Sequence, residues 1–299
     1  EGYRIVVREG VDAGYERAYG RSVQPDRAHQ AVLDMAVSGG IPAAVLLLGV
    51  WATAARAFRR RRAGGLVTVA LTAYLGQQQF LFPLAEVEPV VFLLAGAALA
   101  ERPWRLPPVP RVGLTVVACA AAAVAAWAGV RDVRAWSAAA GSVAAAHAGD
   151  PVEAHREALV ALGWRGDEVW LHLLRSAVAA TPEEALAAVD DALALSPGDP
   201  IAQVRRMELL TTLDPARAAD EIDVLLADDP YHATLHLLRG TAAIHIGDEV
   251  VAEQEWLVAL DLAPAAVGPR ANLITLYTQQ GRLDDAAALQ AAGEGERQS

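Results

Sequence analysis

The stretch Gly240-Thr241-Ala242-Ala243-Ile244-His245-Ile246-Gly247-Asp248-Glu249-Val250-Val251-Ala252-Glu253-Gln254-Glu255-Trp256-Leu257-Val258-Ala259-Leu260-Asp261-Leu262-Ala263-Pro264 decides the fold of the second half of this chain. Counted back from Pro264, Gly240, Ala252, Trp256 and Ala259 occupy the small and large packing positions of a helix-turn-helix unit of 34 residues. Pro197, Pro230 and Pro264 stand 33 and 34 residues apart, each closing an amphipathic stretch. The unit ending at Pro197 places Ala185, Val189 and Ala192 in the matching slots. The unit ending at Pro230 departs from the pattern, with Arg206 where a small residue belongs. A further unit follows at Asn272, Leu273, Tyr277, Gly281 and Ala286, and fades into a polar tail, 293–299, expected to be disordered.

This period and its residue classes resemble tetratricopeptide repeats, here over residues 150–292. Small residues let paired helices approach closely, and each proline ends one unit before the next begins. Such arrays present a concave face to protein partners and rarely carry chemistry. Five histidines lie in this half: His155, His172, His232, His236 and His245. His232 and His236 have the i, i+4 spacing that holds a metal when a third ligand arrives, but no HExxH pattern accompanies them. A helix-packing role is expected for them, with no metal and no cofactor.

Charge separates this half from the first. Residues 1–149 carry 15 arginines against 10 acids, and residues 150–299 carry 10 against 26, so the net charge of −11 hides a second half near −16. All 25 basic residues are arginine. An acidic half of this size excludes nucleic acid, whose binding needs clustered cations. Cys119, the one cysteine, has no partner for a disulfide within the chain. The chain opens at Glu1 with neither a methionine nor a cleavable leader, which is expected of a piece of a longer polypeptide.

Hydrophobic residues make up 54% of the chain, and four apolar stretches fall within 39–131, near 40–57, 65–83, 88–101 and 112–130. A membrane-spanning helix needs about 20 apolar residues, and the first, second and fourth stretches meet that length. Short arginine-rich loops stay on the cytoplasmic side. Arg59 to Arg62 and the Arg102–Arg111 connection both fall inside if all four stretches cross, which leaves residues 1–38 and everything after Arg131 outside. The expectation is an all-α chain: four transmembrane helices, then a helical repeat solenoid.

Asp26-Arg27-Ala28-His29-Gln30-Ala31-Val32-Leu33-Asp34 lies just before the first apolar stretch. An imidazole titrates near neutrality and an arginine holds a phosphate, so this segment suits a reactive site at a bilayer surface. Residue physics leaves a second reading equally open, in which His29 and Arg27 anchor an interfacial helix to lipid headgroups.

His29, Gln30, Leu33 and Asp34, with Gly40 opening the next span, resemble the C-terminal part of the O-antigen ligase and polymerase family. The stretch Ala73–Pro83 resembles that family's later span, which ends in an aromatic-rich, proline-marked outer turn, and repeats fused behind the last spans are similar to that family too. Ala43 stands where a second glycine is usual. The resemblance covers about residues 1–100, the final third of such an enzyme. It implies a metal-independent membrane glycosyltransferase that moves a glycan from a polyprenyl diphosphate carrier to an acceptor hydroxyl on the outer face, in surface polysaccharide assembly. His29 would act as general base, Asp34 would orient it, and Arg27, Arg21 and Arg17 would hold the diphosphate. The fragment alone is expected to be inactive. The competing expectation is a non-enzymatic, membrane-anchored scaffold whose repeats recruit a protein partner.

Overall fold

The computed structural model describes residues 11–20, scattered positions from 41 to 52, and residues 111–296. Contacts divide the chain into two units, residues 1–7 with 24–118, and residues 8–23 with 119–299. In the first unit, the described positions from 41 to 52 are helical and Ala44 is buried.

Besides those positions, eleven helices occur among the described residues: α1 (Ala13–Tyr19), α2 (Arg111–His147), α3 (Pro151–Trp164), α4 (Val169–Ala177), α5 (Pro182–Leu195), α6 (Pro200–Leu213), α7 (Pro215–Asp228), α8 (Ala233–His245), α9 (Glu249–Leu262), α10 (Val267–Gln279) and α11 (Leu283–Glu296). From α3 onward each helix packs on the next along the chain. This gives a tetratricopeptide-like array of helix pairs: α4–α5, α6–α7, α8–α9 and α10–α11.

One further pair precedes these. Ala135, Ala138 and Ala139 in the second half of α2 share a core with Ala158 and Ala161 of α3 and Leu171 and Leu174 of α4. The buried Ser142 donates from Oγ to the Ala154 carbonyl at 2.7 Å, so residues 131–147 act as the first helix of a pair completed by α3. The sequence places the repeats from residue 150; the pairing reaches upstream of that into α2. At the other end α11 continues to Glu296, into the stretch expected to be a disordered tail.

The membrane expectation gains no support from the helices. Among the described residues no helix is long and apolar enough to cross a membrane. Apart from scattered positions in the first stretch, 40–57, 65–83 and 88–101 lie outside the described residues, while 112–130 belongs to α2.

Capping explains where the helices begin. Asp150, Thr181, Asp199, Asp214 and Asp248 each accept a backbone N–H three residues on. Pro151, Pro182, Pro200 and Pro215 fill the first helical position, where no N–H is needed. Within three pairs the turn is a left-handed glycine: Gly149 (φ 76°), Gly247 (φ 85°) and Gly281 (φ 76°). The residue after each closes a six-residue turn, Asp150 N–H to Ala145 and Asp248 N–H to Ala243 at 2.9 Å, and Arg282 N–H to Tyr277 at 2.8 Å.

The tightest crossing is α8 on α9. A Cβ on Gly240 would lie 2.6 Å from Cδ1 and Nε1 of Trp256 and 3.0 Å from the Ala252 carbonyl. Trp256, 4% exposed, fills that space and donates its indole N–H to the Leu237 carbonyl at 3.2 Å. A glycine inside a helix costs up to about 1 kcal/mol against alanine, so Gly240 is retained for packing. Gly240→Ala is expected to lower stability by about 1–2 kcal/mol despite the gain in helix propensity, read as a lower urea midpoint with unchanged slope.

Candidate functional site

By helix caps and burial, the residue of α6 equivalent to Gly240 is the buried Met207, and Arg206 beside it is equivalent to Arg239. Arg206 lies on α6, and its guanidinium reaches both neighbouring helices. Nε donates to Asp190 of α5 at 2.7 Å and Nη1 pairs with Glu221 of α7, while Arg217 also donates to Glu221 at 2.8 Å. Beside it lies a pocket of about 300 Å³. Its apolar wall is Leu193, Pro197, Met207, Val224 and Leu225, and its polar edge is Gln203, Arg206 and Glu221. Val224 is 67% exposed, whereas Met207 is 2% exposed, so the pocket grades from open rim to closed floor.

The surrounding surface is acidic and its cations are largely matched. Arg175 pairs with Asp191 at 3.1 Å and Arg239 with Asp223 at 2.6 Å, repeating the Arg206–Asp190 link along the array. The Arg239 guanidinium is held above its ordinary range, first by its hydrogen bond to Asp223 and against the effect of burial. At the far end, Tyr277 donates to Glu253 at 2.9 Å and Arg282 lies 3.9 Å over the Tyr277 ring. Burial, then the Glu253 carboxylate, pushes the Tyr277 phenol up.

The histidines pack helices. His232 is the N-cap of α8, and its Nδ1 accepts from the Leu235 N–H at 3.4 Å. His155 lies 3.2 Å from Glu184, His172 contacts the Gly166 carbonyl at 3.0 Å, and His245 the Thr211 carbonyl at 2.9 Å. His236 faces two acceptors, with Nδ1 2.6 Å from Glu255 and Nε2 3.0 Å from the Pro230 carbonyl. Both of its nitrogens are thus engaged, which leaves none for an ion shared with His232. Two acceptors require two N–H donors, so this site favours the imidazolium. Burial works against the charge, but Glu255 and the carbonyl outweigh it and the His236 pKa is raised.

Of the residues proposed for diphosphate chemistry, Arg17 alone is described. It lies on α1 and donates from Nη2 to Asp261 Oδ2 at 2.6 Å and from Nε to the Asp261 carbonyl at 3.1 Å. Arg21, Arg27, His29 and Asp34 lie outside the described residues. The Arg206 pocket and the α1 contact were both missed by periodicity. Counting by 34 sets Arg206 in the small-residue slot that Met207 fills, and the α1 contact joins residues more than 200 apart in sequence.

No protein-family model and no curated protein matches the chain. Among solved structures, the MamA 41-end fragment from Desulfovibrio magneticus RS-1 is similar at 19% identity and TM-score 0.47, over 56% of this chain and 97% of that one. Another crystal structure of MamA aligns at 15% identity and TM-score 0.43, over 52% and 94%. A tetratricopeptide repeat protein from Parabacteroides merdae ATCC 43184 aligns at 20% identity and TM-score 0.45, over 55% and 67%. The repeat assignment stands on the helix pairing and period of this chain.

His236 gives the array a pH dependence of known sign. A raised folded pKa means a stabilising contribution fully present below the ordinary value of about 6.5 and lost as pH rises through the raised one. The difference in urea midpoint between the native chain and His236→Gln should therefore be larger at pH 5.5 than at pH 8.5.

Proposed function

We propose that this chain is a membrane-anchored helical-repeat scaffold. The apolar stretches of 39–131 hold it at the cell membrane, and the acidic array, on the extracytoplasmic side, recruits a protein partner. The observation that carries this reading is the Arg206 pocket, an apolar recess with a carboxylate edge on a surface of strongly negative charge. That chemistry suits a peptide segment which inserts one aliphatic or aromatic side chain and sets an arginine or lysine beside Glu221. Two tryptophan pairs support the anchoring. Trp127, near the end of the apolar residues 112–130, lies 6.3 Å from Trp164, and Trp136, just beyond them, lies 5.2 Å from Trp170. Trp127 and Trp136 are 59% and 52% exposed, as befits side chains that favour the lipid headgroup layer.

The glycan-transfer reading is supported by the His29 motif and its place before an apolar stretch. Arg17, already committed to Asp261, lends it little. The remaining cations proposed for a polyprenyl diphosphate are Arg27 and Arg21. If this chemistry operates, His29→Ala in the full-length parent abolishes transfer with expression unchanged; undiminished transfer removes the catalytic role.

The scaffold reading is tested by placing a photoreactive amino acid at Val224 in cells and, as a control, at the equally exposed Val250. A discrete cross-linked protein is expected from position 224 only, and is expected to be lost on Glu221→Lys. The same products from both positions, or a product unaffected by Glu221→Lys, would refute recruitment at this pocket.

A further inference from the structure

The two helices of a pair run antiparallel, so the N-terminus of α8 and the C-terminus of α9 lie at the same end. The first carries unpaired N–H groups and a partial positive charge, the second unpaired carbonyls and a partial negative charge. The dipeptide Glu16-Arg17 of α1 meets both. Glu16, 3% exposed, accepts from the Ala233 N–H, the first of α8, at 3.3 Å. Arg17 grips Asp261 in the last turn of α9 through both its carboxylate and its carbonyl. An acid thus sits on the positive end and a base on the negative end, one residue apart.

Two features mark this as a built contact. A carboxylate is costly to bury without donors, and Glu16 is buried to the level of a core residue. The cap at α8 is a histidine at 3.4 Å, where most of the other caps are aspartates at shorter range, so the start of α8 can take a second acceptor. The helix α1 is itself prepared for this. Asp12 Oδ1 caps it by accepting from the Tyr15 N–H at 2.8 Å, Gly20 ends it at φ 60°, and the Tyr15 and Tyr19 rings meet at a tilt with centroids 5.1 Å apart.

We propose that the α8–α9 end is a peptide-recognition site, specific for a short helix bearing adjacent acidic and arginine residues, and that the chain's own Asp12–Gly20 segment is its resident, exchangeable ligand. Because the ligand is part of the chain, its high effective concentration keeps the site filled. A peptide of the same sequence enters once the resident segment is displaced.

The test uses the full chain in detergent and a fluorescent synthetic peptide spanning residues 10–22. Glu16→Lys/Arg17→Asp in the chain disfavours the resident segment by placing like charge against like. This variant is expected to bind the peptide at least about tenfold more tightly than the unaltered chain. Adding Asp261→Ala to it, at an exposed position, should weaken binding about tenfold, and a peptide carrying Arg17→Ala should bind equally with and without Asp261→Ala. Equal binding by altered and unaltered chains would overturn the proposal. So would binding of the unaltered peptide indifferent to Asp261→Ala.

Discussion

The array depends on how closely the two helices of a pair approach. At α8–α9 the backbone of Gly240 makes room for the Trp256 ring, and no side chain larger than hydrogen fits there. In the first pair a hydroxyl solves the same problem: Ser142 turns its polar atom onto the Ala154 carbonyl and stays fully buried. Alanine at Ala154, Ala158, Ala161, Ala185, Ala188, Ala192, Ala252 and Ala259 keeps the facing surface shallow. Close crossing buries apolar area with little side-chain entropy lost, which suits a chain so rich in alanine.

At α6–α7 the position equivalent to Gly240 is held by Met207, which is buried and forms the floor of the recess. Its neighbour Arg206 reaches Asp190 and Glu221, since a guanidinium is costly to bury without acceptors. Adjacent residues of one helix therefore supply the apolar floor and the charged edge from which a partner site is built.

Much of the array was legible in the sequence, because prolines at a fixed period and small residues at fixed offsets are local signals. The units ending at Pro197, Pro230 and Pro264 fold as helix pairs where the period puts them. The first pair escaped because it lacks both markers. It ends at Arg165 without a proline, its crossing residue is a serine, and Ala154, Ala158 and Ala161 precede Ala185, Val189 and Ala192 by 31 residues. Its first helix is also continuous with an apolar run that reads as a membrane segment. The α1 contact was illegible for another reason: a seven-residue helix has no period, and nothing local announces a partner at Ala233 or Asp261. Arg17 was thus read as a phosphate ligand from its charge, while the structure gives that charge to Asp261. The His29 segment is known from its residue types alone.

A stack of helix pairs that touch only their neighbours is mechanically a chain of links in series, free to bend and to fray from its open end. The grip of α1 on α8 and α9 changes that. Tension entering the repeat unit through residues 8–23 reaches the fourth pair directly, while tension entering through α2 must pass through the first three. The array is therefore held at its start and near its finish, and a spring with one loose end becomes a braced span. Only α10 and α11 lie beyond the brace.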